Sequence, residues 1–332
     1  MALPELKVMG DPNNHDPQTL SILTGKADFY EDALPGRKLW GAGKHSTIMH
    51  GNILEIDTSE AMALPGVKAI ITNEDAPNLF SSSVLFWGQP IAAIAADDWY
   101  TAQRAINLIK VTYEELPGVF DPDDSRVNTV LSGKRADTNL QEYTFDRGDI
   151  TVGMAESPVQ IELNTGWTST HCHAPVEQYG ATAYWIDDQV YVHQASQNLH
   201  GNKNAVVNYL EMPANKVHVY ARYCGGGHGA RLSNWESGVA AMLSKKAGGA
   251  PVCFKMSKKH SMTFKIRQYD HRAEFKLGAK EDGTIMALDA QYHSNGGSAG
   301  VNTTLRDTWN IPHVKWVGYR YYLNVPDRGA WR

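Results

Sequence analysis

The sequence predicts an α+β protein built from two units. Its 332 residues exceed the usual length of a single domain. Segments with alternating apolar and polar residues, such as 52–57 and 159–165, outnumber segments with helical periodicity. Between them lies a polar stretch with neither period, which predicts a linker. The predicted order is an irregular arm at 1–22, a first unit at 23–127, the linker at 128–147 and a second unit at 148–332.

The first unit combines short strands with two helices. Residues 88–96 are almost all apolar, which is typical of a strand buried on both faces. A carboxylate at Asp97 or Asp98 can cap the following helix, whose apolar residues fall on one stripe. The predicted strands are 52–57, 67–72, 88–96 and 110–114, and the predicted helices are 58–64 and the one capped at Asp97 or Asp98.

The second unit consists mostly of strands. Alternation on either side of Asp187 and Asp188 predicts a hairpin, and a second hairpin is predicted around the turn 281–283. Asn198 precedes one helix, and the spacing Ser233-x-x-Glu236 predicts a capping box for the other. The predicted strands are 159–165, 180–185, 189–193, 216–223, 251–256, 272–277, 284–292 and 317–323.

Composition narrows the classes of partner and the compartment. The net charge of −5 and the pI of about 6.2 give no reason to expect nucleic acid or anionic lipid. No apolar run approaches the roughly 20 residues that a membrane helix needs, and residues 1–7 lack the apolar core of a signal peptide. Three cysteines without a CxxC pair indicate free thiols in a reducing compartment, so we expect a cytoplasmic protein.

The stretch Cys224–Arg231, with sequence CGGGHGAR, is the strongest candidate for a functional site. It lies between a predicted strand and a predicted helix, an arrangement that presents backbone N–H groups to a ligand. Consecutive glycines allow close approach because they carry no Cβ atom. Unpaired N–H groups and the helix dipole both favour an oxyanion.

Two other interpretations of this loop stay open. Gly225-x-Gly227-x-x-Ala230 satisfies the loose dinucleotide fingerprint, but the strand after the helix ends in lysines and lacks the expected carboxylate. A dinucleotide is therefore disfavoured. The other interpretation is a purely structural glycine turn, which would use glycine without any ligand.

Three further groups have both a chemical and a structural interpretation. His171, Cys172 and His173 offer donors to a metal, but four ligands at zinc spacing are not evident, which favours structural histidines. Glu177 follows two apolar residues, and a buried carboxylate there would have to be paired or protonated. We expect it to be a structural anchor. The segment 258–260, Lys-Lys-His, predicts a solvated turn, with a phosphate contact as the alternative.

Several motifs in order resemble the xanthine dehydrogenase and aldehyde oxidase family of molybdenum hydroxylases. In the first unit these are TGKADFY at 24–30, LPG at 34–36, IDTSEA at 56–61, LPGV at 64–67, GQPIAA at 88–93 and YEELP at 113–117. In the second they are GD at 148–149, HAPVE at 173–177, SQN at 196–198, GGGHG at 225–229 and GAWR at 329–332. The resemblance implies a hammerhead-type α/β domain followed by the first half of a molybdopterin-binding domain.

The resemblance also implies roles for individual residues. The backbone of the loop Gly226, Gly227, His228 and Gly229 would bind the cofactor, with an N–H at Gly227 or His228 donating to a metal oxo ligand. Gln197 would contact the oxygen shell of the molybdenum, and Arg332 would lie on the substrate side. His228 replaces the usual phenylalanine of the loop, and could be a proton carrier or a polar wall. It and Arg332 are the candidate catalytic residues. No residue is expected to ligate the metal directly.

The segment 256–262, MSKKHSM, covers the place where purine-oxidising relatives carry a substrate-binding glutamate, so xanthine is disfavoured as substrate. Because family members continue beyond the position of Arg332, we expect a split large subunit, completed by a second molybdenum-binding subunit across a large apolar interface.

The function implied is hydroxylation of an N-heterocycle, an aldehyde or a related electron-poor carbon with water-derived oxygen. The cofactor would be a molybdenum–pterin, with the cytosine dinucleotide form as one option, shared with the partner. Electrons would pass to 2Fe-2S and FAD subunits, since this chain has no cysteine cluster for iron. Two alternatives are a non-redox hydratase using His228, which adds water to a conjugated double bond, and a non-catalytic assembly subunit.

Overall fold

The computed structural model describes residues 16–34, 36–126, 130–268, 270–295 and 308–331. Strands and helices alternate in the first third, and strands dominate thereafter, which confirms the α+β class. Within these residues, no helix is both long enough and apolar enough to cross a bilayer. The elements are α1 (Thr19–Leu23), β1 (Leu39–His45), β2 (Gly51–Asp57), α2 (Ser59–Ala63), β3 (Val67–Ile71), β4 (Ser83–Val84), β5 (Pro90–Ala96), α3 (Trp99–Leu108), β6 (Lys110–Glu115), α4 (Pro122–Ser125), β7 (Leu140–Arg147), α5 (Ile150–Ala155), β8 (Val159–Asn164), β9 (Gly180–Ile186), β10 (Gln189–Gln194), α6 (Leu199–Leu210), β11 (Val217–Tyr220), α7 (Trp235–Lys246), β12 (Val252–Lys255), α8 (Lys258–Phe264), β13 (Asp270–Ala279), β14 (Ile285–Asn295) and β15 (His313–Tyr321).

The central feature is a mixed seven-stranded sheet with the order β11-β10-β9-β12-β1-β5-β3. It contains strands from both predicted units. β1 pairs in parallel with β12, with Leu39 opposite Val252, and antiparallel with β5 on its other side. The two units therefore share one sheet, which joins them through backbone hydrogen bonds.

Helices cover both faces of this sheet, and successive residues of β5 pack against different helices. Ala93 and Ala95 belong to the core cluster that includes α7, whereas Ala92 and Ile94 belong to the cluster that includes α3. Successive strand residues point to opposite faces, so a strand between two helical layers must be apolar at every position. All seven residues of β5 are buried, as the sequence predicted.

The second sheet has five strands, in the order β7-β15-β14-β13-β8. Its core includes Trp316, Leu288 and Ala290. β7 pairs with β15 from Val314 opposite Arg147 to Tyr321 opposite Leu140. The predicted linker at 128–147 is therefore wrong over 140–147, because polar residues on the outer face of an edge strand resemble a linker in sequence.

A small sheet with the order β4-β2-β6 completes the first unit. The predicted irregular arm is also wrong over its last residues, since 19–23 form helix α1. Residues 1–15 of that arm lie outside the described residues. Gln18 Nε2 donates to the carbonyl of Arg222 at 3.0 Å, so the end of the arm contacts the segment before the glycine-rich loop.

Helix starts were predicted with mixed success. The Asp98 side chain accepts from the Thr101 N–H, which confirms the cap there, and the helix predicted after Asn198 begins with the Asn198 side chain accepting from the Gly201 N–H. The capping box at Ser233 is wrong. Helix α7 begins after Asn234, which makes no side-chain cap bond, and Glu236 instead forms an ion pair with Lys265 at 3.0 Å.

The segment 258–260 is not a solvated turn but the first turn of α8. Lys258 Nζ donates to the carbonyl of Pro175, and the ring of His260 stacks on that of His45 with centroids 3.6 Å apart. Strand β11 is also shorter than predicted: residues 214–216 form a 3-10 turn, and the strand ends at Tyr220.

Candidate functional site: the glycine-rich loop

The glycine-rich loop, residues 224–231, connects β11 to α7 and contains several residues with left-handed backbone. Gly226 has φ +106°, His228 +50° and Gly229 +104°. At positive φ a Cβ atom is strained, which accounts for two of the glycines. His228 is an L-residue in this region, so its conformation must be held by its surroundings.

Other glycines are required by close contacts with the protein itself. A Cβ atom on Gly225 would overlap Glu177, one on Gly227 would overlap the amide of Gln197, and one on Gly229 would overlap the carbonyl of Ala330. The structural interpretation of these glycines therefore holds at three positions. It does not exclude a ligand, because the same contacts create a defined cradle of backbone and amide groups.

A buried ion pair stabilises the glycine-rich loop. Arg231 lies 3.2 Å from the Glu177 carboxylate, and their side chains are 1% and 8% exposed. Glu177 also accepts from the Gly225 N–H at 2.8 Å, while Arg231 Nε donates to the Gly226 carbonyl at 2.8 Å. Burial raises the pKa of Glu177, and the nearby Arg231 charge opposes that shift. Glu177 is a structural anchor, as expected.

Gln197 holds the opposite end of the loop. Its Oε1 accepts from the Gly229 N–H at 2.9 Å and from the Arg231 N–H at 3.2 Å. Since one side of the amide is committed to the loop, its orientation is fixed. The Nε2 group has no acceptor among the described residues, and the residue is exposed. Gln197 thus keeps two N–H donors available beside the loop.

The loop backbone offers further donors. The N–H groups of Gly225, Gly229, Ala230 and Arg231 are all paired within the protein. Those of residues 226–228 have no acceptor within the described ranges. Successive free N–H groups in a loop with left-handed residues are a typical anion-binding arrangement.

The segment 329–331 lies against the other side of the loop. His173 contacts two carbonyl oxygens, that of Ile266 from Nδ1 at 2.9 Å and that of Ala330 from Nε2 at 2.8 Å. The ring of Trp331 lies 4.5 Å from the His173 ring. Arg332, the candidate substrate-side residue, is outside the described residues.

The structure places the histidine group at 171–173 beside Trp331. No cluster of three His, Cys, Asp or Glu side chains able to hold a metal occurs in the described ranges. His173 is 2% exposed and hydrogen-bonded to backbone, which confirms a structural histidine. The dinucleotide interpretation also loses support, since β11 and β12, which flank α7, are separated in the sheet by β10 and β9.

The residues of the loop fit the oxygen ligands of a molybdenum–pterin group. Such ligands accept hydrogen bonds, and the loop offers donors to them, from Gln197 Nε2 and from the N–H groups of 226–228. The Gly227 cradle would be filled by any Cβ atom. The structure brings Gln197, Gly226, Gly227, His228 and Gly229 together, as expected. His228 is exposed, so its imidazole is accessible at this surface.

One supporting residue and one supporting contact were missed from the sequence. Arg231 was not recognised as an ion-pair partner, and its position directly after the loop was the available signal. The capture of the Gly229 N–H by Gln197 had no signal in the sequence, because it joins residues 32 apart.

Comparison with known proteins identifies both units. Residues 133–332 match the family described as molybdopterin cofactor-binding domain. Residues 24–117 match the family described as aldehyde oxidase and xanthine dehydrogenase, a/b hammerhead domain.

Curated relatives include the xanthine dehydrogenase molybdenum-binding subunit of Escherichia coli O157:H7, 26% identical over 94% of this chain and 46% of that relative. The mouse xanthine dehydrogenase/oxidase is 27% identical, over 86% of this chain and 23% of its own length. This chain spans less than half the length of these two relatives.

Solved structures agree on the fold. Quinoline 2-oxidoreductase from Pseudomonas putida 86 superposes with a TM-score of 0.86 at 22% identity, covering 95% of this chain and 45% of that one. Aldehyde oxidoreductase from Desulfovibrio gigas gives 0.85 at 24% identity, covering 96% and 39%. With a family match over residues 133–332 and the hammerhead match before it, this chain belongs to the xanthine dehydrogenase and aldehyde oxidase family of molybdenum hydroxylases.

Proposed function

We propose that this chain forms one wall of the molybdenum–pterin site of a hydroxylase that oxidises an N-heterocycle, an aldehyde or a related electron-poor carbon. One observation carries the proposal. Gln197 Oε1 is committed to the Gly229 and Arg231 N–H groups, which leaves its Nε2 and the N–H groups of 226–228 as donors without acceptors among the described residues. These donors match the oxygen ligands of the cofactor in chemistry.

When bound, the molybdenum–pterin group supplies two-electron redox chemistry and activates water-derived oxygen as a Lewis acid. The protein supplies orientation. Gln197 and the backbone at Gly227 and His228 would hold oxygen ligands of the group, and the pair of Glu177 and Arg231 keeps that backbone in place. A preorganised donor set needs no reorganisation during the reaction, and this is its contribution to the rate.

The substrate side is assigned to His228 and Arg332. His228 is exposed on the loop, where it can exchange protons with a substrate or line its pocket. Arg332 lies outside the described residues, and its role on the substrate side is proposed from the resemblance alone. A guanidinium there would orient a polar substrate through charge-assisted hydrogen bonds.

We also propose that a second molybdenum-binding subunit is a partner of this chain and contributes residues to the site. Electrons would leave through partner subunits with 2Fe-2S and FAD. The pterin would be molybdopterin or its cytosine dinucleotide form. The proposed compartment is the cytoplasm. Purification of the native complex, with mass spectrometry of its subunits and cofactors, tests all of these points.

The decisive test of the site compares Gln197→Ala with Gln291→Ala in the native complex. Gln291 is an exposed glutamine on β14 of the five-stranded sheet, whereas the loop follows β11 of the seven-stranded sheet. Loss of a supporting hydrogen bond around a metal typically costs about 10–100-fold in metal affinity or activity. Gln197→Ala should show such a loss in molybdenum content and turnover, and Gln291→Ala should match the wild type. Equal molybdenum content and turnover in both would refute the proposal.

A hydratase is the second candidate, and the exposed imidazole of His228 favours it. That ring could move a proton during addition of water to a conjugated double bond. The assay omits the electron acceptor. A hydratase would keep its turnover, whereas a hydroxylase would stop after reducing its own cofactors. If neither activity appears and His228→Ala changes nothing, the chain acts as an assembly subunit.

A further inference from the structure

We infer that His173 is a positioning residue that joins the two halves of the candidate site, the glycine-rich loop and the segment 329–331. The catalytic part of this inference rests on the proposed function. The structural part does not, because it concerns contacts within this chain. It assigns a specific role to a histidine that the sequence placed only among structural residues.

The contacts place His173 between two segments, that of Ile266 and 329–331. The imidazole is 2% exposed, with Nδ1 at 2.9 Å from the Ile266 carbonyl oxygen and Nε2 at 2.8 Å from the Ala330 carbonyl oxygen. A third neighbour is Trp331, whose ring centroid lies 4.5 Å away at an angle of 51°. The ring therefore ties the segment 329–331 to the chain just after α8.

The Ala330 carbonyl also faces the glycine-rich loop. It is the atom that a Cβ on Gly229 would overlap. The carbonyl thus lies between the imidazole of His173 and the Cα of Gly229. Because the space is filled on both sides, the positions of Ala330 and Gly229 depend on each other, and His173 sets the position of Ala330.

The same short segment holds the loop at its other end. Glu177, four residues after His173, pairs with Arg231 and accepts from the Gly225 N–H. The segment 173–177 therefore contacts both halves of the candidate site. The carboxylate of Glu177 binds the loop, and the imidazole of His173 binds the segment 329–331. Displacement of either contact would change the distance between the loop donors and the chain that leads to Arg332.

The two carbonyl contacts require the ring to act as a donor. Carbonyl oxygens only accept hydrogen bonds, so a ring nitrogen that bonds to one must carry the hydrogen. The segments packed on the ring also contain Cys172, Arg267, Asp327 and Arg328, and Arg328 is paired with Asp270 at 2.9 Å.

The test uses two amide substitutions that each keep one donor. In His173→Asn the side-chain nitrogen can replace Nδ1 and donate to Ile266, but it is too short to reach Ala330. In His173→Gln the longer side chain can replace Nε2 and donate to Ala330. Both variants are compared with His200→Asn, a substitution of an exposed histidine at the start of α6.

Amide hydrogen exchange of the full chain in its complex gives the structural result. We expect His173→Asn to speed exchange at 329–331 by about tenfold or more, the effect of losing one buried hydrogen bond. His173→Gln should stay within a fewfold of the wild type. Equal exchange at 329–331 in the two variants would overturn the inference.

Nitrogen NMR of histidine-labelled wild-type protein provides a readout that needs no variant. A His173 ring N–H that is protected from exchange with solvent is expected, and a ring without a protected N–H would overturn the inference. If His173→Asn does not fold, this NMR measurement decides.

In the active complex, His173→Asn should lower kcat more than His173→Gln does. If the proposed function fails, turnover is absent in all forms, while the exchange and NMR results still stand or fall independently.

Discussion

Strand β5 and the glycine-rich loop are fixed by different kinds of contact. β5 is buried along its whole length, with apolar side chains packed on both faces and paired strands on both edges. The loop is fixed by polar contacts to Glu177 and Gln197, which lie between 32 and 48 residues away along the chain. Burial holds the strand in one position, whereas directed hydrogen bonds hold the loop and leave part of its backbone free.

This difference follows from what each region must do. A strand between two helical layers needs only apolar residues of suitable size. A loop that presents N–H groups to a ligand cannot bury them against its own protein. Its conformation must therefore be stabilised by charged and amide side chains that contact its other backbone groups. The following substitutions test this comparison, from the largest expected effect to the smallest.

The largest effect is expected for Glu177→Ala. Removing one partner of a buried ion pair leaves the other charge uncompensated, which costs about 3–5 kcal/mol. Urea denaturation should show this loss. The control is Glu162→Ala, whose partner Lys276 is exposed, with side chains 69% and 56% exposed, and about 0–1 kcal/mol is expected. Equal losses in the two variants would mean that the loop is not held by this pair.

Ile94→Ala tests the strand. Ile94 is fully buried, and removal of such a side chain leaves a cavity that costs about 2–5 kcal/mol. The free energy of unfolding should fall by that amount, while amide exchange at Gly225 in the folded state remains unchanged. Leu54→Ala on β2, at a position 63% exposed, is the control and should stay within about 0.5 kcal/mol. Faster exchange at Gly225 in Ile94→Ala would show that the two regions are coupled.

A smaller effect depends on pH and involves the stacked pair of His45 and His260. Burial, with a contribution from Lys259, lowers the pKa of His260 to about 4, and burial lowers that of His45 well below its usual value. Between about pH 6.5 and about pH 4 the unfolded chain therefore binds more protons than the folded one. The free energy of unfolding should decrease as the pH is lowered through this window.

His260→Leu should flatten that pH dependence in melting experiments, since one of the two titrating rings is removed. His200→Leu, at an exposed position, should leave the slope unchanged. A steeper loss of stability in His260→Leu than in the wild type would contradict this assignment.

The smallest effect is expected at His228. Its left-handed conformation costs an L-residue about 1–2 kcal/mol, which glycine avoids at an entropic cost of about 0.5–1 kcal/mol. His228→Gly should therefore change the free energy of unfolding by less than about 1 kcal/mol. The β-branched His228→Val should be less stable than His228→Gly by about 1–2 kcal/mol. If valine is tolerated as well as glycine, the loop does not require this backbone conformation.

Local patterns predicted most of the regular structure. The apolar run of β5, the strand β8, the cap at Asp98 and the helix after Asn198 each depend on neighbours within a few residues, and each was confirmed. The predictions failed where a tertiary partner changed the role of a residue. Glu236 looked like a cap but pairs with Lys265, and residues 140–147 looked like a linker but pair with β15.

The candidate site divides in the same way. The sequence by itself determined the glycine-rich loop, the neighbouring Gln197 and the family, because these are visible as motifs in order along the chain. Only the tertiary structure decided that Glu177 and Arg231 form the anchor, that Gln197 commits its oxygen to the loop and that His173 contacts Ala330. These contacts join residues 32 to 157 positions apart, and no local pattern determines which buried donor will meet which acceptor.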